Sequence, residues 1–240
     1  MQLQQILFSQ GFGTRRICAG LVEQGHVTVA GEACDDPGAD FDPHGLRFTV
    51  QGTAWEWRER AYLMLHKPPG YECSTRPGAW PSVLTLLPGP VRQRPQKGGA
   101  TGVQPVGRLD QDTTGLLLLS DDGSFIHRMT SPKHEVPKVY EVTTRDALGE
   151  AVPRRLLDGV LLDGERAPVH AAACEITGPS QLRLTLTQGK YHQVKRMLAA
   201  AGHHVVGLHR SRIGGLVLPD NLPRGEWRWL GPDDLAAAGA

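Results

Sequence analysis

Leu3, Ile6 and Leu7 recur at the spacing of one helical face, and Gly11-Phe12-Gly13 then breaks the pattern. Thr14 stands where an N-cap belongs, so a second helix is predicted from Arg15 to Gln24, with Gly25 ending it. His26 to Val29 alternates as a short strand does, and Ala30-Gly31-Glu32 reads as its turn. Asp35 to Asp42 is rich in Pro, Gly and Asp, and a break at Gly52-Thr53 precedes Trp55-Glu56-Trp57-Arg58-Glu59-Arg60. A boundary is expected there, dividing a small first domain (residues 1–59) from a larger second one (residues 60–240).

The second domain opens with a predicted strand, Ala61 to His66, and Lys67-Pro68-Pro69-Gly70-Tyr71 turns the chain because proline fixes φ and glycine frees it. Ser82 to Leu87 reads as a short helix. Pro88 to Gln104 has no apolar periodicity and carries Arg92, Arg94 and Lys97, so a mobile basic surface loop is expected, suited either to a polyanion or to plain linkage. Leu116 to Leu119 is a buried-looking strand and Ser124 to Met129 a helix; residues 131–138 form a polar connection into a strand from Val139 to Thr144. A helix around Glu150 to Leu157 and strands near Ala171 to Ile176 and Leu182 to Thr187 follow. A helix opened by the basic patch around Lys195 and Arg196 ends at Gly202. Strands Val205 to His209 and Leu216 to Leu218 and a terminal helix, Asp233 to Ala238, complete the order. There is no regular βαβ alternation and no repeat, so the fold class is α+β with a mixed or antiparallel sheet.

Composition changes this picture little. Hydrophobic residues are 40% and charged residues 21% of the 240, and no apolar stretch approaches the roughly 20 residues that cross a bilayer. No membrane association is expected, and without a signal-peptide pattern at Met1 to Gln5 the expected location is the cytoplasm. Cys18, Cys34, Cys73 and Cys174 form no C-x-x-C pair, and the ten histidines no H-E-x-x-H, so neither a metal nor another cofactor is implied. Charge is more telling by halves. Residues 1–50 hold three basic against six acidic residues, giving −3, whereas residues 61–240 hold 21 against 17, giving +4; a polyanionic partner is therefore drawn mainly to the second part.

The densest chemistry is in Gly107-Arg108-Leu109-Asp110-Gln111-Asp112-Thr113-Thr114-Gly115. A polar turn capping a strand is one reading. Asp110 and Asp112 also fit the D-x-D-x-T pattern of aspartyl-phosphate phosphotransferases, although Pro105 to Arg108 is not the apolar strand such a site needs. Asp110, Asp112, Gly115 and Asp121 mimic an EF-hand, but Leu116 to Leu119 belongs in a core rather than around a hydrated cation. Lys195 or Arg196 can set a cation beside a catalytic carboxylate and keep it ionised. Tyr140 can offer a ring face to a base, or simply pack in a core.

Four blocks in order resemble pseudouridine synthases: His66 to Tyr71, Val106 to Leu118, Lys138-Val139-Tyr140, and Gly189 to Met197. The helix, helix, hairpin order at the front, with Arg15 and Arg16 on the second helix, resembles an S4-type RNA-binding module; a small structural cap is the other reading of that segment. Together they identify the branch with an N-terminal S4 module, and Tyr191 to Met197 with Leu208 to Gly215 is most similar to its members that act on small-subunit ribosomal RNA, conventionally at position 516 of 16S RNA. A 23S target, a non-catalytic assembly factor and a magnesium-dependent phosphatase are the alternatives.

The resemblance implies that Asp110 is the catalytic carboxylate, Tyr140 stacks on the extruded base and Lys195 pairs with Asp110, which should then be nearly inaccessible to water. Arg108 would fill the vacated space or hold the backbone. Arg196, Arg210 and Arg212 would bind phosphates, and Lys67, His192, Gln193, Arg15 and Arg16 would also meet RNA. Asp112 would fix the loop by bonding backbone amides or Thr113 and Thr114. The partner implied is 16S ribosomal RNA or a small-subunit assembly particle, met by a monomer.

Overall fold

The computed structural model describes residues 1–95 and 102–239, which divide into two compact units. The first holds Met1–Ala61, Leu84–Gln104 and Ser120–Asp122; the second holds Tyr62–Val83, Pro105–Leu119 and the rest of the chain from Gly123.

In the first unit α1 (Leu3–Ser9) buries Leu3, Ile6 and Leu7, and α2 (Arg15–Glu23) buries Cys18 and Val22. Thr14 caps α2 as its sequence position suggests, its side chain accepting from Ile17 N–H. Strands β1 (Val27–Val29), β2 (Glu32–Ala33), β3 (Arg47–Val50) and β4 (Thr53–Glu56) pair antiparallel in the order β2-β1-β3-β4. The β3–β4 hairpin has no counterpart in the expected elements. It turns through only Gln51 and Gly52, both left-handed at φ 49° and 78°, the two-residue geometry that matches strand twist, and Gly52 alone supplied the visible signal.

Arg94 contradicts the expected basic surface loop. A short helix, α3 (Gly89–Arg92), precedes it, and Arg94 itself is 3% exposed. Its Nε donates to Asp121 Oδ2 at 2.7 Å, Nη1 to Gln10 Oε1 at 2.8 Å, and Nη2 to the carbonyls of Arg58 and Glu59. Five donors in a rigid fork can be buried when a carboxylate, an amide and two carbonyls meet them, and this environment is invisible to composition. Arg92 is exposed, and Lys97 lies outside the described residues. Replacing Arg94 with Met removes the guanidinium from a buried carboxylate and should cost about 3–5 kcal/mol of stability. Urea unfolding of R94M tests this; a loss below about 1 kcal/mol would show the network to be dispensable.

The second unit is built on β5 (Tyr62–Lys67), β6 (Gln104–Val106), β7 (Thr114–Ser120), β8 (Lys138–Thr144), β9 (Ala173–Gly178), β10 (Gln181–Leu186), β11 (Val205–Ile213), β12 (Leu216–Val217) and β13 (Trp227–Trp229). These nine strands form one sheet whose main path runs β13-β5-β7-β11-β8-β10-β9. β11 is parallel to β7 and antiparallel to β8, so the sheet is mixed, as the irregular element order suggests. Helices α4 (Gly123–Thr130), α5 (Val152–Asp158), α6 (Gln193–Ala200) and α7 (Pro232–Ala238) complete it, and the helix expected over Ser82 to Leu87 is a 3-10 turn, Val83–Leu86.

Leu116 to Leu119 are each fully buried, so both faces of β7 are covered and the continuous apolar run has its expected cause. Gly115 permits the parallel junction: at φ 109°, an added Cβ would lie 2.3 Å from the carbonyl oxygen of Arg210 on the neighbouring strand. Among the described residues no helix is long and apolar enough to cross a membrane.

Candidate active site

The loop between β6 and β7 is pinned from below by a side chain that sequence reasoning sent to RNA. Lys67, at the end of β5, is wholly buried, and its ammonium donates to the carbonyls of Pro68, Gln111 and Thr113 at 3.0, 3.0 and 2.8 Å. Burial lowers its pKa, against the attraction of Cys73, Asp112 and Asp110. Lys67 therefore fails as an RNA contact in this structure, because all three donors are spent on backbone. Gln111 O also accepts from Gly70 N–H at 2.9 Å, and Leu109 N–H donates to the Cys73 thiol at 3.4 Å. With Leu109, Gln111 and Thr113 held, the intervening acids Asp110 and Asp112 are the side chains free to meet a partner.

That partner is α6. Lys195, in the first turn of the helix, places Nζ 3.2 Å from Asp110 Oδ2 and 2.7 and 2.9 Å from the two oxygens of Asp112. Burial pulls the Lys195 pKa down, yet the hydrogen bonds and charges of the two acids more than offset this and leave it raised. Asp112 is raised by burial, but the Lys195 ammonium outweighs this and holds its carboxyl below the usual range. Two expectations are corrected here. Asp112 does meet a backbone amide, its own, but in place of Thr113 and Thr114 its carboxylate takes a share of the Lys195 ammonium, because the loop aims both acids at α6. Asp110 is not sealed from water, its side chain being 26% exposed, because it faces a cavity open enough to admit a ligand.

The cavity measures about 680 Å³. Tyr140 on β8 and Arg210 on β11, which are paired across the sheet, line it together with Lys138, Leu208 and Ile213. Tyr140 is 9% exposed and belongs to the wall. Arg210 is 3% exposed and donates Nε to Leu116 O at 2.8 Å, so it reinforces the inner wall instead of reaching surface phosphates. Lys138 was missed as a lining residue. Burial, then the nearby Arg210 charge, push its amine down to about 8, and its place two residues from Tyr140 on one strand face was the available signal.

His192 caps α6 in a left-handed conformation, φ 48° and ψ 34°, with Nε2 3.4 Å from Asp110 Oδ1. Gln193 is 5% exposed and turns inward, its Oε1 accepting from Lys190 N–H and its amide meeting Met197 Sδ, so it shapes the turn instead of offering a free amide to RNA. Arg196 donates to the carbonyls of Tyr191 and Asp163 and lies 4.0 Å from Glu165, which commits it to tying the turn before α6 to the loop after α5 instead of to phosphate. Arg108 is exposed at the cavity and Arg212 is exposed on β11. Arg15 and Arg16 are exposed on α2 of the first unit, Arg15 lying over the Phe8 ring. The structure thus gathers Asp110, Tyr140, Lys195, Arg108, His192, Gln193 and Arg210 around one cavity. Among the described residues no group of three or more His, Cys, Asp or Glu side chains is placed to hold a metal ion.

Comparison with known proteins matches residues 61–200 to the family described as RNA pseudouridylate synthase and residues 1–44 to the S4 domain. The chain is 40% identical over 239 residues to the ribosomal small subunit pseudouridine synthase A of Escherichia coli (strain K12), covering 99% of each. It is 38% identical over 241 residues to the protein of the same name from Yersinia pestis, covering 100% of this chain and 99% of the relative. A solved structure described as that of a pseudouridylate synthase is similar over 99% of both chains, with a TM-score of 0.68 and 34% identity.

Proposed function

The chain belongs to the RNA pseudouridylate synthase family, and from that premise we propose that it isomerises one uridine of 16S ribosomal RNA to pseudouridine with Asp110 as the catalytic carboxylate. The small-subunit target is favoured by full-length similarity to proteins named for that substrate. The observation that carries the chemistry is the Asp110 carboxylate at a cavity of about 680 Å³, 3.2 Å from a lysine ammonium.

Isomerisation breaks the bond from C1′ to N1 of the base, turns the base, joins C1′ to C5 and moves one proton from C5 to N1. No oxidant or reductant enters this balance. A carboxylate can serve as nucleophile or base in it, and the uridine must first leave its stack, at a cost of a few kcal/mol that contacts with the protein offset. Tyr140 supplies a ring face to the extruded base, Lys195 pairs with the Asp110 carboxylate and orients it, and Arg108 steadies the strand at the mouth or fills the space the base leaves. Exposed Arg212, and Arg15 and Arg16 of the S4 unit, add attraction for phosphates. The location that follows from a ribosomal RNA substrate is the cytoplasm, and the chain acts as a monomer.

Incubating the protein with full-length 16S RNA in EDTA, followed by carbodiimide labelling and primer extension, should give one new stop. Modification only of 23S RNA would overturn the target. Binding without modification would favour an assembly factor, and hydrolysis of an aryl phosphate with added magnesium would favour a phosphatase.

A further inference from the structure

Beside the cavity stands an aromatic ring that the roles above leave unused. Tyr191 is 69% exposed, the most exposed large apolar side chain among the described residues. Its turn is nevertheless tied in three places. Gln193 Oε1 accepts from Lys190 N–H at 2.9 Å, Lys190 Nζ lies 2.6 Å from Glu165 Oε2, and Arg196 Nη1 donates to Tyr191 O at 3.1 Å. One face of the ring stacks on His192, with centroids 3.8 Å apart and planes 20° from parallel, which leaves the exposure to the other face. His192 itself adopts a left-handed backbone that a side-chain-bearing residue seldom takes, and its imidazole meets Asp110. Asp110, His192 and Tyr191 therefore form a continuous path of contacts from the reactive carboxylate to the edge of the cavity.

We propose that the open face of Tyr191 is a stacking platform for the base next to the target uridine. This rests on the reading of the cavity as the uridine site. Once that uridine enters, its covalently attached neighbour must cross the rim, where Tyr191 sits one ring beyond the imidazole that touches Asp110. The exposed guanidinium of Arg108 at the same cavity favours nucleic acid over protein. Stacking on an aromatic ring accepts any base, so the platform adds affinity and alignment without setting the sequence by itself.

The test compares Y191A, Y191F and Y191L on a 16S RNA transcript, and on transcripts made abasic on either side of the modified uridine. Y191A and Y191L should raise KM roughly tenfold, with a much smaller effect on kcat, and Y191F should behave as wild type. One of the two abasic transcripts should raise KM for the wild type by a similar factor and should erase the difference between wild type and Y191A. Equal behaviour of Y191L and Y191F, or a Y191A defect undiminished on both abasic transcripts, would overturn the platform. A defect seen only on an assembly particle and absent on the naked transcript would assign the ring to a protein and overturn it as well. If the wild type makes no pseudouridine at all, the functional reading falls, and filter binding of the same RNAs then judges the stack alone.

Discussion

Asp110→Asn should abolish pseudouridine formation, lowering the rate by at least about 10⁴-fold, the upper end of what one positioned acid or base contributes. The substitution keeps the side chain's size and removes its charge and its nucleophilic oxygen. The Cys73 thiol holds the loop at Leu109 and the Lys67 ammonium holds it at Gln111 and Thr113, and none of these ties involves the Asp110 carboxylate, so the backbone should keep its course. Far-ultraviolet circular dichroism and urea unfolding should therefore match wild type, while primer extension on carbodiimide-labelled 16S RNA shows no stop. A mutant that still modifies the RNA would remove Asp110 from the chemistry.

Lys195→Met should lower kcat by about 10² to 10³-fold, the scale set by removing one preorganised electrostatic partner from an active site. The ammonium is shared between two acids. Lys195 is 3.2 Å from Asp110 and 2.7 Å from Asp112, and its loss leaves two carboxylates of one short loop facing each other across the gap it filled. Lys195→Arg should restore much of the rate, since it returns the charge, whereas Lys195→Gln should not. Single-turnover rates at saturating enzyme separate this from weaker RNA binding. A Met variant within a few-fold of wild type would show that Asp110 needs no cation.

The order of elements in both units was readable because helix and strand periods, caps and glycine breaks are local. Thr14 and the run Leu116 to Leu119 are clear cases, one satisfying the first turn of α2 and the other sealed on both faces of β7. The β3–β4 hairpin escaped because half of its turn is Gln51, a residue that carries no turn signal. In the site, the motif blocks pointed to Asp110, Tyr140 and Lys195, which the fold does bring to one cavity. Basic residues were the weak point. Lys67, Arg94 and Arg196 look alike in a sequence as cations waiting for phosphate, yet each is met by carbonyls or acids from distant segments, and Arg210 is drawn into the cavity wall with only its Nε committed, to Leu116 O. Whether a cation is exposed depends on non-local acceptors, which no spacing rule carries.

Lys67 has a consequence for anyone wishing to transplant this chemistry. The loop bearing Asp110 looks like a portable cassette, nine residues closed by glycines. Its shape, however, is dictated by an ammonium that arrives from β5 and gathers the carbonyls of Pro68, Gln111 and Thr113. Grafted without that lysine, the same nine residues would present the carbonyls of Gln111 and Thr113 to a protein interior without the ammonium that gathers them, and would relax into another conformation. The smallest movable piece is therefore two segments distant in sequence, and a mutational scan would score Lys67 as indispensable though it never touches the RNA.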